Sequence, residues 1–386
     1  MVRSKRRAMI YLDNNATTPI APPVREAMRP FLDEDFANPS SPYGPARRVS
    51  VALADAREAV AACVGAAAKD LFFTSGGSES INTAFHMALQ LRPARRKIVV
   101  TAVEHAATLR CAERWGAAGY TVEVLPVNCE GKLDLDRYRA ALDADTALVS
   151  VMAANNETGI LFPVAQLAAW AREQDVYFHC DAIQVVGKMA LPLSATDCTF
   201  MSVSGHKFHA PKGVGALTVH PSLPPTLSPL VAGGDQELGR RAGTENIPGI
   251  VGMGQAALDV AEGVRTMERT VKALREKLET ALLGLDHDLL ILGRESDRLP
   301  NTTLCCFAGI PSDILLARLD MEQIYCSSGS ACASGAAEVS PVLRAMQIPS
   351  EYAIGAVRVS LSRYTEPAEI DAFVEALTAI LADVRV

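Results

Sequence analysis

The sequence predicts an α/β fold: a large, mostly parallel sheet with helices on both faces, followed by a smaller α+β unit. Two observations carry this. Between about residues 70 and 220, short apolar, β-prone runs alternate with stretches of helical apolar spacing. Strands that alternate with helices form parallel pairs, whose crossover helices cover both sheet faces. After about Ala261 the alternation stops, and a long amphipathic stretch leads into a shorter mixed segment.

Each element has its own signal. "VREAMRPFLDE" is amphipathic, and "GPARRVSVALADAREAVAACVG" has apolar residues at helical spacing and closes on Gly65. "DLFFTSGGSES" is a strand entering a glycine turn, and "SINTAFHMALQL" continues as a helix. Strands are then expected in "KIVVTA", "TVEVLPV", "TALVSVMAA", "VYFHCDA", "CTFMSVS" and "GVGALTVH". Helices are expected in "ATLRCAERWGAAG", "DLDRYRAALD" and "PVAQLAAWAREQ". "GVRTMERTVKALREKLETALLGL" is the long connecting helix, "AIGAVRVSLSRY" a late strand and "PAEIDAFVEALTAILADV" the last helix. The expected division is 18–262 for the large unit, with 1–17 and 263–386 forming the small one.

Composition excludes several classes of function. The chain of 386 residues is 49% hydrophobic and 21% charged, an ordinary globular balance. A net charge of −7 argues against a general nucleic-acid-binding surface. The basic run Arg3, Lys5, Arg6 and Arg7 is followed by too short an apolar stretch for a signal peptide, and no run approaches a membrane span. A cytoplasmic location is therefore expected. Nine cysteines, with no Cys-x-x-Cys pair, do not make a disulfide framework. His206 and His209 lack a second ligand cluster, so no metal site is expected.

The polar residues fall at the strand ends, where open α/β sheets bind ligands. "SGGSES" is a glycine turn opening a helix, an anion cradle. Glu104 and His105 follow one strand, and "NNETG" follows another. Asp181 and Gln184 follow a third, and Ser204, His206 and Lys207 a fourth. A lone lysine, aspartate or histidine at such a place is ordinarily a loop or cap residue. Together with an anion cradle they suggest pyridoxal phosphate: lysine for the Schiff base, aspartate for the ring nitrogen, cradle for the phosphate.

The segments "YLDNNATTP", "NPSS", "FTSGGSESIN", "EHAA", "NNETG", "DAIQVVGK", "SGHKFHAPKGVGAL", "GGDQELGRRAGTEN" and "SSGSACASG" occur in order over nearly the whole chain. In them the sequence resembles cysteine desulfurases of the NifS/IscS type, within the class V aminotransferases. The resemblance implies a fold-type-I pyridoxal-phosphate transferase that converts L-cysteine to L-alanine and passes the sulfur to an acceptor. Lys207 would be the Schiff-base lysine and proton shuttle. His105 would stack on the ring and act as acid–base, and Asp181 would pair with the ring nitrogen. Asn156 and Gln184 would lie near the ring hydroxyl. Gly77, Ser78, Ser204 and His206 would hold the phosphate, joined by Thr244 of the other subunit of a homodimer. Arg358, helped by Asn38 and Asn156, would clamp the substrate carboxylate.

Cys332 lies among small residues with no apolar period, which reads as a mobile loop suited to a nucleophile that collects and delivers sulfur. Cys326 reads as structural. Two departures from the family pattern are Pro42-Tyr43, where a histidine is frequent, and Ser78, where threonine is common; neither removes a group the chemistry needs. The alternatives are an aminotransferase or selenocysteine lyase of the same class, which has no need of Cys332, a catalytically silent scaffold, and a cysteine-rich metal-binding protein. The acceptor, an iron–sulfur scaffold or a thio-modification protein, is left open.

Overall fold

The computed structural model describes residues 9–190, 198–329 and 339–384; the basic N-terminal run and Cys332 lie outside the described residues. In chain order the elements are β1 (Ile10–Tyr11), α1 (Pro22–Asp33), α2 (Gly44–Cys63), β2 (Leu71–Thr74), α3 (Gly77–Leu91), β3 (Lys97–Thr101), α4 (Ala106–Ala117), β4 (Thr121–Leu125), α5 (Leu135–Ala140) and β5 (Thr146–Met152). Then come α6 (Val164–Glu173), β6 (Tyr177–Asp181), β7 (Phe200–Ser204), β8 (Gly215–Val219) and α7 (Ile247–Leu283). The last part holds β9 (Leu289–Ile291), β10 (Thr302–Phe307), α8 (Ser312–Met321), β11 (Ile324–Tyr325), α9 (Pro341–Ala345), α10 (Ser350–Ala353), β12 (Ala356–Ser360) and α11 (Pro367–Val384).

Seven strands form one sheet in the order β2-β8-β7-β6-β5-β3-β4. All its pairings are parallel except the two made by β8, which runs against both β2 and β7. Because β8 alone is reversed, the carboxyl ends of β2, β3, β5, β6 and β7 lie on one edge. The inner strands β5, β7 and β8 are buried along their whole length, and β3 and β6 at all but their first residue, as continuous runs such as "TALVSVM" require. One face packs on α2, α6 and the first half of α7 through Val60, Leu167 and Met253, among others. The other face packs on α3 and α4 through Ile81, Phe85 and Cys111.

A second apolar cluster, with Leu278, Phe307, Val357 and Phe373, holds the second half of α7 and α11 against a three-stranded antiparallel sheet, β12-β10-β9. The N-terminal segment joins this region first: β1 pairs with β11 in parallel. It then crosses toward the large sheet, anchored where the amides of Asn14 and Asn15 donate to the Ser360 carbonyl (3.1 Å) and hydroxyl (2.9 Å).

The connecting helix differs from expectation. It begins at Ile247, not after Ala261, and runs for 37 residues. Gly249, Gly252 and Gly254 depress helical propensity in its first turns. Their reason is close packing: a Cβ on Gly254 would lie 2.7 Å from the Ala56 Cα in α2. Asn246 caps the start, its Oδ1 accepting from the Gly249 amide at 3.2 Å, with Pro248 in the first turn.

Candidate active site

Asp181 is the last residue of β6, and its carboxylate accepts the Ile183 amide at 3.0 Å. Burial pushes its pKa up to about 6, against the pull of that amide and of the Lys207 charge. Glu104, just past β3, is buried too; its Oε1 accepts from the Thr101 hydroxyl (2.7 Å) and the Met152 amide (2.9 Å). Burial, and then the Asp181 charge, push the Glu104 carboxyl up to about 8. Near neutral pH the two carboxyls therefore differ: Asp181 is ionised and Glu104 keeps its proton. Among the described residues the Glu104 Oε2 has no hydrogen-bond partner.

His105 caps α4, its Nδ1 accepting the Ala107 amide at 3.1 Å. That lone pair is committed, so the ring's proton belongs on Nε2. Burial and the Lys207 charge hold its pKa below the usual histidine range, which keeps the ring neutral. Lys207 closes the turn after β7 and donates to the carbonyls of Asn15 (2.7 Å) and Ala16 (2.8 Å). Its ammonium thus acts on Asp181, His105 and His206 at once. His206 is pushed down to about 4, mainly by burial, and its Nδ1 lies 3.1 Å from the Thr17 hydroxyl.

The start of α3 faces Ser204. Gly76 has φ +151°, and a Cβ on it would lie 3.9 Å from the Ser204 hydroxyl; Gly77 abuts Ser204 and Ile183 so closely that a Cβ there would overlap the Ile183 side chain. Ser78 is exposed in the first turn. The backbone amides that begin a helix lack intrahelical partners, so this is a site for an anion. Glu79 accepts the Ser75 amide (2.8 Å) and pairs with Arg241 Nε at 2.8 Å, which ties the loop bearing Thr244 to the cradle.

Arg358 lies in β12 and is only 2% exposed. Its Nη2 donates to Asp13 Oδ1 at 2.7 Å and its Nη1 to the Asn156 carbonyl at 3.0 Å, while Nε makes no hydrogen bond among the described residues. Gln184 is buried and donates to the Asn15 carbonyl at 3.0 Å. Lys207, His206, Gln184, Asn156 and Arg358 thus meet around residues 13–17, while Asp181 and His105 lie within reach of the Lys207 charge and Ser204 lies beside the start of α3. Asn38 and Thr244 are exposed and stand apart from these contacts. Asn38 Oδ1 accepts the Ser40 amide at 2.9 Å, and Thr244 lines a separate cavity of about 180 Å³ with Ser75 and Arg241. Burial pushes the Cys326 thiol up to about 12, so it is held as thiol. Residues missed by sequence reasoning are Asp13, Asn15, Glu157 and Lys188; "YLDNNATTP" and "DAIQVVGK" contain three of them.

The pattern of the aminotransferase class-V family matches residues 10–373. A cysteine desulfurase of Cereibacter sphaeroides is 48% identical over 378 residues, covering 97% of this chain and 96% of the relative. The cysteine desulfurase NifS of Azotobacter vinelandii is 44% identical, covering 98% and 94%. A solved structure described as a NifS-like protein superposes with a TM-score of 0.91 at 34% identity, covering 97% of this chain and all of that one. The chain belongs to the class V aminotransferase family and, within it, to the cysteine desulfurases.

Proposed function

We propose that the chain binds pyridoxal 5'-phosphate, takes the sulfur from L-cysteine as a persulfide on Cys332, releases L-alanine and passes the sulfur to an acceptor protein. The observation that carries this is the convergence of Lys207, Asp181 and His105 at one sheet edge, with a glycine-lined helix start beside Ser204. The donor set suits the coenzyme: an amine, an ionised carboxylate, a neutral imidazole and an anion cradle too close-packed for side chains.

When bound, the coenzyme supplies an aldehyde for an amine and an electron sink for a carbanion. Lys207 would hold the aldehyde and move the proton at the substrate Cα. Asp181, ionised above about pH 6, would keep the ring nitrogen protonated. His105, neutral with its proton on Nε2, would serve as acid–base. Gly77, Ser78, Ser204 and His206 would hold the phosphate, and Asn156 and Gln184 would lie by the ring hydroxyl. The unpartnered Nε of Arg358 leaves an edge of its guanidinium for the substrate carboxylate, assisted by Asn38 and Asn156. Cys332, outside the described residues, would receive the sulfur.

The exposure of Thr244, apart from the central contacts, suits a residue that serves the phosphate of a second subunit, hence a homodimer with shared sites. Residues 18–262 would form the coenzyme-binding unit, and 1–17 with 263–386 the unit bearing Cys332. The proposed acceptor is a cytoplasmic sulfur-acceptor protein, of iron–sulfur cluster assembly or of thio-modification. No helix among the described residues is long and apolar enough to cross a membrane. The test is to incubate the purified, coenzyme-loaded protein with L-cysteine and a dithiol, which reduces the persulfide and releases its outer sulfur as sulfide, and to measure alanine and sulfide. Equal yields of both support the reading; a keto acid in place of alanine would make the chain an aminotransferase.

A further inference from the structure

Lys188 lies in the turns after β6 and is 6% exposed. Its Nζ donates to Asn15 Oδ1 at 2.8 Å and to Gln184 Oε1. Burial and the positive charges of Lys207 and Arg358 pull its pKa well below the usual lysine range. Among the described residues no carboxylate is within ion-pair distance of it. Burying an amine among other cations, with only amide oxygens as partners, is costly for the fold.

The contacts assign a use. Asn15 Nδ2 donates to the Asn156 carbonyl (3.1 Å) and the Thr302 hydroxyl (2.9 Å), so Asn15 Oδ1 must face Lys188, where it also accepts from Asn301 at 3.0 Å. Gln184 is held at both ends: Nε2 donates to the Asn15 carbonyl at 3.0 Å, and Oε1 accepts from Lys188. The same Asn15 carbonyl accepts from Lys207 at 2.7 Å. Without Lys188, Gln184 Oε1 would be a buried acceptor with no donor, and flipping or withdrawing the amide would be the relief. With Lys188 in place, the amide presents its second N–H, which makes no other hydrogen bond among the described residues.

We propose that Lys188 is a positioning residue: it locks the Gln184 amide so that the site offers an N–H, and not a carbonyl, to the ring oxygen of pyridoxal phosphate. This rests on the reading above that Gln184 lies by that oxygen. An N–H donor there favours the anionic form of the ring oxygen, and losing it favours the protonated form, which absorbs at shorter wavelength.

The experiment compares the full-length wild type, Lys188→Met, Gln184→Glu, Gln184→Leu and the Lys188→Met/Gln184→Leu double variant, each loaded with pyridoxal phosphate and without substrate. Absorption spectra and coenzyme dissociation constants are measured, with folding followed by circular dichroism. Lys188→Met should shift the bound coenzyme toward the shorter-wavelength band and weaken its binding about ten- to hundredfold, the range of one hydrogen bond to a charged group. Gln184→Glu keeps the shape and can pair with Lys188 but has no N–H, so it should give the same spectral shift even if Lys188→Met does not fold. The double variant should match Gln184→Leu. An unshifted spectrum in Lys188→Met or Gln184→Glu overturns the proposal, as does a double variant whose effects simply add. A wild type that takes up no coenzyme would overturn the underlying reading and this proposal with it.

Discussion

The Ser340 hydroxyl donates to Glu157 Oε2 at 2.6 Å, and a Cβ on Gly329 would lie 2.5 Å from that same oxygen. The chain entering residues 330–338 and the chain leaving them are therefore both seated on one buried carboxyl. That carboxyl follows Asn156, whose carbonyl holds Arg358. Replacing Glu157 with Ala should leave coenzyme uptake intact and slow sulfur loading of Cys332 by about ten- to hundredfold, the cost of a small misplacement of a reacting group. Single-turnover mass spectrometry alongside coenzyme absorbance checks this; an unchanged loading rate would refute it.

Arg358→Ala should raise the L-cysteine concentration for half-maximal rate far more than it lowers the maximal rate. The lost guanidinium–carboxylate contact corresponds to about 2–5 kcal/mol. The change also leaves Asp13 without its ion pair, so the fold should lose about 3 kcal/mol as well. Steady-state kinetics and denaturant unfolding together separate the two effects. An unaltered concentration dependence would reduce Arg358 to a structural ion pair.

Glu104 gives the coenzyme-free protein a pH signature. Its pKa is raised by folding, to about 8 from the ordinary 4.5, so its protonated form favours the folded state. That stability is fully present below about pH 4.5 and is lost as pH rises through about 8. Asp181 acts in the same direction between about 4 and about 6. The urea midpoint should therefore fall between about pH 4 and about pH 8 in the wild type, and the part of that fall between about 6 and about 8 should flatten in Glu104→Gln. Equal slopes for the two proteins would show that Glu104 is not protonated in the fold.

Cys332→Ala should bind coenzyme normally and still change colour with L-cysteine, then stop without persulfide and with little alanine or sulfide. Cys326 offers no substitute, because burial holds its thiol protonated up to about pH 12 and the thiolate is the nucleophile. Mass spectrometry after one turnover decides the matter. A sulfur adduct on Cys326, or full turnover in the variant, would show that the wrong cysteine is assigned.

Much of this arrangement was legible locally. Asp181, Ser204, Lys207 and His105 could be placed because each follows an apolar run short enough to be a strand, and parallel strands bring such ends to one edge. The start of α7 was placed too late because its glycine-rich first turns lower helical propensity, whereas Gly252 and Gly254 admit α1 and α2 at close range. Contacts such as Lys188 to Asn15 and Ser340 to Glu157 span 173 and 183 positions. They involve single side chains at unrelated places in the chain, so no periodicity announces them. Within "DAIQVVGK" a lysine four residues after Gln184 looks like any surface lysine on a turn.

The bond from the Asn15 amide to the Ser360 hydroxyl joins positions 345 apart. Asn15 also holds Lys207, Lys188 and Gln184, so the coenzyme site lacks its floor until Ser360 has left the ribosome. At a synthesis rate of about 5–20 residues per second, Asn15 waits roughly 20–70 s for that partner. The seven-stranded sheet, complete by Val219, can collapse long before then. The nascent chain thus passes through a stage with a formed sheet and an unfinished pocket. A product truncated before β12 would lack the Ser360 hydroxyl that anchors Asn15, however well its large sheet folds.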